Sequence, residues 1–215
     1  MKIINKNHLS LDFLISEHLV DYDKAMAFME KRVSLIKKEK ALEAIWFLEH
    51  PSIYTAGRSH GIKEGYIENV PILNTSRGGK VTWHGPGQRV IYLMIDIKKR
   101  KYDLRYFVSN LEQYIIKCLQ ELKIKAYKKD NLIGIWTKDK SLNDAKIASL
   151  GLRVSKGIIY HGISININCD LSFFKKIDVC GIRNSNVTSI YSINKNISYK
   201  EVDRILQKNI NEIII

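Results

Sequence analysis

The stretch RGGKVTWHGPGQ, residues 77–88, is the most distinctive part of this sequence. Glycine adds backbone freedom and proline removes a backbone donor, so we expect a loop here rather than an ordinary helix or strand. The apolar run RVIYLMIDI follows at once. A long hairpin connection is therefore the simplest structural interpretation.

Two well-known phosphate-binding loops do not fit this stretch. A Walker loop needs Ser or Thr after its Gly-Lys pair, whereas Val81 follows Gly79 and Lys80. A dinucleotide-binding fingerprint fails as well, because Val90 stands where its last glycine belongs. These motifs do not favour nucleotide binding.

Length and composition are those of a globular protein. The chain has 215 residues, of which 45% are hydrophobic and 27% charged. We expect one domain over residues 1–215, because no repeat, linker or low-complexity run divides the chain. With no signal peptide and no apolar run of about 18 residues, we expect a cytoplasmic protein that does not bind membranes.

Three segments are predicted to be helices. Apolar residues recur at helical spacing over residues 21–40 and, more clearly, over residues 104–122. A third helix is expected to begin at Ser198, because Ser198 and Glu201 form a capping box ahead of an apolar run.

Several apolar runs between these helices are predicted to be strands: AIWFLEH, RVIYLMIDI, LIGIWT, KIASLGLRV and GIIYHGISININ. In the last run Ile163 and Ile165 alternate with Ser164 and Asn166, the pattern of a half-buried strand. Strands outnumber helices and do not alternate regularly with them. The predicted class is therefore α+β with a mixed or antiparallel sheet and packed helices.

The three cysteines form no C-x-x-C pair, so neither a disulfide framework nor a zinc ribbon is predicted. Cys118 falls in the apolar stripe of the second helix and is interpreted as a small buried hydrophobe. Cys169 follows a strand without any motif. Cys180 lies in the loop-like DVCGIRNSN beside a glycine, although a lone cysteine is more often structural than catalytic.

The chain is strongly basic. Lysine and arginine outnumber aspartate and glutamate by 35 to 22, and the formal net charge is +13. Such a surface attracts acidic partners, and nucleic acid, anionic lipid and acidic carrier proteins are all candidates. A lysine-rich bias of the source organism is an equally simple explanation.

The order of residues in RGGKVTWHGPGQ resembles the signature loop of the lipoyl(octanoyl) transferases. Four further segments resemble segments of that family, in the family's order: LEHPSIYTAGRS (48–59), AKIASLGLRV (145–154), YHGISININ (160–168) and CGI (180–182). Two positions depart from the pattern. Lys80 stands where the family more often has an acidic or neutral polar residue, and Val179 where proline commonly precedes the cysteine.

This resemblance implies an acyltransferase of lipoate biosynthesis and protein lipoylation, with the fold of the biotin/lipoate protein ligase catalytic domain. Its substrates would be octanoyl-acyl carrier protein and apo lipoyl domains, both those of 2-oxoacid dehydrogenase acyltransferase subunits and the glycine cleavage H protein. Cys180 would form the acyl-thioester intermediate and Lys146 would complete a Cys/Lys dyad. No metal, cofactor or nucleic acid is expected.

The resemblance also implies a substrate pocket formed by the following residues: Arg77, Gly78, Gly79, Lys80, Val81, Thr82, Trp83, His84, Ser149, Leu150, Gly151, Gly162, Ile163 and Ser164. If KIASLGLRV is a regular strand, Lys146 shares a face with Ala148 and Leu150. For His84 a substrate-positioning role and a structural role are equally open. His161 is interpreted as a hydrogen-bonded core histidine.

The nearest alternative is an ATP-dependent lipoate or biotin protein ligase of the same fold. Such an enzyme would form an acyl adenylate and would not depend on Cys180. A binding module without activity is more distant. A nucleic-acid binder is the most distant reading, since the sequence contains no recognised module for it beyond its charge.

Overall fold

Two β-sheets organise the chain, and they contain eight and four strands within the described residues. The computed structural model describes residues 2–6, 11–58, 64–178 and 186–213. The strands are β1 (Lys2–Lys6), β2 (Leu11–Ile15), β3 (Glu43–Leu48), β4 (Ile53–Ala56), β5 (Gly65–Ile67), β6 (Val70–Asn74), β7 (Val81–His84), β8 (Gln88–Asp96), β9 (Ala126–Lys129), β10 (Leu132–Lys138), β11 (Asp144–Ser155) and β12 (Ile158–Asn166). The helices are α1 (Tyr22–Lys37), α2 (Leu104–Glu121), α3 (Ile190–Ile193) and α4 (Tyr199–Lys208), with 3₁₀ turns at Leu171–Lys176 and Ile210–Ile213.

The large sheet has the strand order β1-β2-β3-β8-β12-β11-β10-β9. Strand β2 runs parallel to β3, whereas β3 and β8, β8 and β12, and β12 and β11 pair antiparallel. The predicted α+β class with a mixed sheet is therefore confirmed.

Helices cover both faces of the large sheet. Residues of α2 and α4, such as Leu111 and Ile205, join one core cluster with Ile91 of β8. Met29 of α1 joins a second cluster with Trp46 on the other face. Each such side chain stabilises the fold by roughly 1.5–3 kcal/mol when it is fully buried.

The three predicted helices are present. Ser198 Oγ accepts the backbone N–H of Glu201 at 3.2 Å, which confirms the capping prediction for α4. Cys118 is buried in the core face of α2, as predicted. Within the described residues, no helix is both long enough and apolar enough to cross a membrane.

The small sheet has the order β5-β6-β4-β7 and was largely unpredicted. Strand β7 lies inside the glycine-rich stretch, so the expectation of a loop without an ordinary strand is wrong for Val81–His84. Its partner β4 supplies the reason, because Ile53 pairs with His84 and Tyr54 with Trp83 in an antiparallel ladder.

Strand β12 also differs from its prediction. All nine of its residues are buried, so the half-buried pattern is wrong. The strand lies between β8 and β11, and core clusters occupy both faces of the sheet around it. The polar residues on this strand therefore need partners inside the protein, and Asn166 finds them in Gln88 and Thr188.

Candidate active site

A cavity of about 460 Å³ lies between segment 77–84 and strands β8, β11 and β12 of the large sheet. Tyr22 at the start of α1 and Leu104 and Val108 at the start of α2 also contribute to its lining. The predicted pocket residues that line it are Arg77, Gly78, Gly79, Lys80, Val81, Thr82, His84, Ser149, Leu150, Gly151, Gly162, Ile163 and Ser164, and Lys146 lines it with them. The structure thus brings together residues that are far apart in the sequence.

One predicted pocket residue is placed differently. Trp83 does not belong to the cavity lining; its ring stacks on Phe173 at a centroid distance of 4.8 Å, and its Nε1 donates to Ser52 Oγ at 2.8 Å. Neighbouring strand residues point to opposite faces, and on β7 it is His84 whose ring approaches that of Tyr22. Cys180 lies outside the described residues.

Lys146 lies on β11 and is buried, with 5% of its surface exposed. Its backbone N–H donates to Asn186 O at 2.8 Å, and its carbonyl accepts the N–H of Thr188 at 2.9 Å. Asn186 follows Cys180 by six positions in the sequence. The chain that leaves the cysteine segment is therefore tied directly to the backbone of Lys146.

The strand around Lys146 is not regular. Ile135 of β10 pairs with Ala148, but the next residue, Trp136, pairs with Lys146, so β11 contains one extra residue at this point. A bulge of this kind bends a strand and redirects a side chain. The premise of a regular strand is therefore wrong at Lys146, although Lys146 and Leu150 both line the cavity.

Arg77 fixes segment 77–84 to the small sheet. Its buried guanidinium donates to the hydroxyl and the backbone carbonyl of Thr55 and to Gly78 O. Burial lowers the pKa of this guanidinium, but arginine remains a cation at neutral pH. Gly57 allows the close approach, because a Cβ there would lie 2.2 Å from Gly79 O.

Gln88 fixes the tautomer of His84. The Gln88 amide nitrogen donates to Asn166 Oδ1 at 2.9 Å and to Trp83 O at 3.2 Å, so Gln88 Oε1 is the atom 2.7 Å from His84 Nδ1. A carbonyl oxygen only accepts, so Nδ1 carries the proton and Nε2 keeps its lone pair. Burial lowers the pKa of His84 to about 3, and the neutral ring offers a hydrogen-bond acceptor at the cavity.

His161 has a backbone φ of 64° inside β12, a left-handed conformation that costs a non-glycine residue roughly 1–2 kcal/mol. Its ring lines the cavity, and its buried Nε2 has no hydrogen-bond partner in the described part of the chain. The interpretation as a hydrogen-bonded core histidine is therefore wrong at this nitrogen. Burial lowers the pKa of His161 to about 3, so this ring is also neutral.

Sequence reasoning missed several residues of this site. Tyr22 and Tyr92 line the cavity, and His50 lies behind them, with Nε2 2.7 Å from the Tyr92 hydroxyl. Burial raises the pKa of Tyr22 to about 12 and lowers that of His50 to about 4, so both are neutral. His50 lies in the family-like segment 48–59, but Tyr22 and Tyr92 belong to no such segment, and the packing of α1 against the sheet brings the three together.

The apolar part of the cavity lies beside these polar groups. It is lined by Val81, Val90, Leu104, Val108, Leu132, Ile133, Leu150, Leu152, Val154 and Ile163. The cavity can therefore hold an apolar chain next to a lysine ammonium and neutral hydrogen-bonding rings. Its volume is in the range of small-molecule binding pockets, about 300–1,000 Å³.

Comparison with known proteins identifies the class. The model of the lipoyl protein ligase A/B catalytic domain family matches residues 21–211. The chain belongs to this family.

Named relatives are more specific. The octanoyltransferase of Bartonella bacilliformis is 41% identical over 215 residues, covering 96% of this chain and 89% of the relative. The octanoyltransferase of Ehrlichia ruminantium is 42% identical over 205 residues, covering 94% of this chain and 98% of the relative.

Solved structures share the fold at low sequence identity. LipL1 of P. falciparum, solved with lipoate, has a TM-score of 0.69 and 13% identity; the match covers 94% of this chain, which spans 61% of that protein. The bipartite lipoate protein ligase of Thermoplasma acidophilum has a TM-score of 0.67 and 14% identity, with 93% of this chain and 82% of that protein covered. The predicted resemblance to the lipoate ligase fold is confirmed.

Proposed function

We propose that this protein is an octanoyltransferase whose residues 1–215 form one catalytic domain. It moves an octanoyl group from octanoyl-acyl carrier protein to the acceptor lysine of apo lipoyl domains. The observation that supports this most directly is the cavity, where the apolar side chains, segment 77–84 and Lys146 meet. The names of relatives about 41% identical over nearly the whole chain support the same reaction.

The octanoyl chain occupies the apolar part of the cavity. Burial of each CH₂ group away from water contributes roughly 0.8 kcal/mol, so an eight-carbon chain gains substantial binding energy there. Leu150, Gly151, Ile163 and Gly162 face this chain. The thioester carbonyl lies toward Lys146 and the polar groups.

In the first step the Cys180 thiolate attacks the octanoyl carbonyl carbon. A new carbon–sulfur bond forms, the bond to the carrier sulfur breaks, and the Lys146 ammonium gives one proton to the leaving carrier thiolate. The tie between Lys146 and Asn186 supports this pairing, because it holds the chain that follows Cys180 at the lysine.

In the second step the neutral amine of the acceptor lysine attacks the acyl-cysteine. The carbon–nitrogen bond forms, Cys180 leaves as a thiolate, and Lys146 takes the proton that the amine loses. His84 Nε2 accepts an N–H of the incoming amine and orients its lone pair. Exchange between thioesters is nearly isoenergetic and amide formation runs downhill, so the reaction needs no ATP.

The partners follow from this reaction. They are octanoyl-acyl carrier protein as donor and, as acceptors, the lipoyl domains of 2-oxoacid dehydrogenase acyltransferase subunits and the glycine cleavage H protein. The enzyme works in the cytoplasm. Its net charge of +13 speeds the encounter with acidic partners.

The test is octanoyl transfer to a purified apo lipoyl domain, measured by mass spectrometry with and without ATP and magnesium. We expect transfer from octanoyl-acyl carrier protein without ATP, and a loss of about 10³-fold in Lys146→Ala and Cys180→Ser. Transfer of free octanoate that requires ATP and survives Cys180→Ser would instead identify a ligase.

A further inference from the structure

Gly134 of β10 occupies the most irregular part of the large sheet. On one side the pairing of β10 with β11 shifts between Ile135 and Trp136. On the other side the pairing with β9 shifts between Leu132 and Trp136. The φ of Gly134 is 129°, a backbone conformation that residues with a Cβ rarely adopt.

The end of the Lys146 side chain occupies the space beside Gly134. A Cβ built on Gly134 would lie 2.3 Å from Lys146 Cε and 2.9 Å from Lys146 Nζ. It would also lie 2.8 Å from the carbonyl oxygen of Ala148. Carbon atoms that are not bonded pack at about 3.5–4.0 Å. The Lys146 side chain therefore passes Gly134 through the space that a Cβ would occupy in any other residue.

The bulge in β11 and the glycine in β10 both affect the path of the Lys146 side chain. The extra residue in β11 redirects the Lys146 side chain, and the missing Cβ in β10 leaves the path that the side chain follows. Lys146 is 5% exposed, so its arm is confined rather than free to choose another path through solvent.

We propose that Gly134 is a positioning residue, which holds the Lys146 ammonium at the reacting thiol by leaving the lysine arm room to pass. This inference rests on the proposed function, because it assigns Gly134 its effect through the lysine of the dyad. Gly134 has no side chain and takes part in no chemical step itself. A substitution there displaces the flexible end of Lys146 before it displaces the backbone carbonyl of Ala148.

Gly157 provides a matched control. It has a positive φ of 91°, and a Cβ built on it would lie 2.9 Å from Lys98 Cβ. Gly157 lies in the turn between β11 and β12 and is not part of the cavity lining. Gly157→Ala therefore also introduces strain at a positive φ and a contact with a lysine side chain, here near its Cβ, outside the cavity lining.

The experiment compares Gly134→Ala with Gly157→Ala, after circular dichroism has shown that each is folded. We measure octanoyl transfer and the pH dependence of Cys180 alkylation by iodoacetamide, with the labelled peptide identified by mass spectrometry. We expect Gly134→Ala to reduce transfer at least 50-fold and to move the alkylation midpoint to higher pH, because the thiolate loses its ammonium neighbour. Gly157→Ala should change neither.

The double variant Gly134→Ala/Lys146→Ala separates a lysine-mediated effect from a backbone effect. If Gly134 acts through Lys146, the second substitution changes the activity of Lys146→Ala by less than threefold. The loss of stability in urea caused by Gly134→Ala should also be smaller in the Lys146→Ala background, because the contact with the lysine side chain is gone while the contact with the Ala148 carbonyl remains. An equal loss of stability in the two backgrounds would contradict the proposal.

The remaining outcomes are distinct. Near-normal transfer and an unchanged alkylation midpoint in Gly134→Ala, with Lys146→Ala inactive, would overturn the role of Gly134 and leave the proposed function intact. Full activity of Lys146→Ala would overturn the dyad itself and with it the role of Gly134.

Discussion

The two walls of the cavity are held in place by different means. The polar wall, formed by segment 77–84, depends on a few polar side chains, above all the Arg77 guanidinium and its hydrogen bonds to Thr55. The ladder wall, formed by β11 and β12, depends on a continuous ladder of backbone pairs, from Ala148 opposite Ile165 to Ser155 opposite Ile158. One bond from the Gly78 N–H to Leu152 O, at 2.9 Å, joins the two walls.

The two walls should therefore respond differently to the loss of a single side chain. The ladder wall keeps its position when a single side chain is truncated, because its backbone bonds remain, although truncating a core residue lowers the stability. The polar wall is attached to the small sheet through the Arg77 guanidinium, and loss of this one donor leaves several buried acceptors unsatisfied. Neutral histidines line both walls, His84 on the polar wall and His161 on the ladder wall, so acid should affect the two together.

Mild acid should produce the largest change in the free energy of unfolding. The pKa values of His84 and His161, about 3, and of His50, about 4, lie below the unfolded value of about 6.5. The unfolded chain therefore binds more protons between these limits, and stability is present above pH 6.5 and lost as pH falls. We expect the free energy of unfolding in urea to decrease by about 4 kcal/mol from pH 7.5 to 5.5, roughly a third of it from each histidine.

Single substitutions sharpen this prediction. His161→Asn and His84→Asn should each reduce the pH dependence by about a third, because each removes one buried group that protonates on unfolding. An unchanged pH dependence in both variants would show that these rings are not buried as neutral groups in either wall.

Arg77→Leu should have the next largest effect. The substitution leaves the Thr55 and Gly78 acceptors without their donor, and we expect a loss of about 3 kcal/mol in the free energy of unfolding. Thr55→Val removes only the hydroxyl and should cost about 1 kcal/mol. Equal losses in urea denaturation of the two variants would contradict the view that the guanidinium organises this wall.

The smallest effect tests the ladder wall. Ile163→Ala widens the cavity, so we expect the ratio of transfer rates for decanoyl and octanoyl donors to rise about tenfold. Ile165, two residues along β12, belongs to the core but not to the cavity lining. Ile165→Ala should therefore reduce stability without changing this ratio, and a matching rise in both variants would place the acyl chain elsewhere.

The long elements of the fold were predictable because their signals are local. Helix α2 has a continuous apolar stripe, α4 has its Ser198 cap, and strands β8, β11 and β12 are long apolar runs. The small sheet was not predictable, since strands of three to five residues exist only through their partners. Strand β7 shows this most clearly, because it forms within a glycine-rich stretch.

The site was predictable where ordered motifs mark it and not where it depends on packing. The order of residues in segment 77–84 and around Lys146 indicated the pocket, and most of those residues do line one cavity. The left-handed backbone of His161 and the passage of Lys146 over Gly134 arise from tertiary contacts. No local pattern encodes such contacts.

The central claim is that an octanoyl group passes through Cys180, and intact mass spectrometry tests it most directly. The protein is incubated with octanoyl-acyl carrier protein without ATP, beside a Cys180→Ser control, and then mixed with an apo lipoyl domain. We predict a gain of one octanoyl group that is absent in the control and disappears when the acceptor is added. Equal labelling of the Cys180→Ser protein, or an adduct that the acceptor does not remove, would contradict the account.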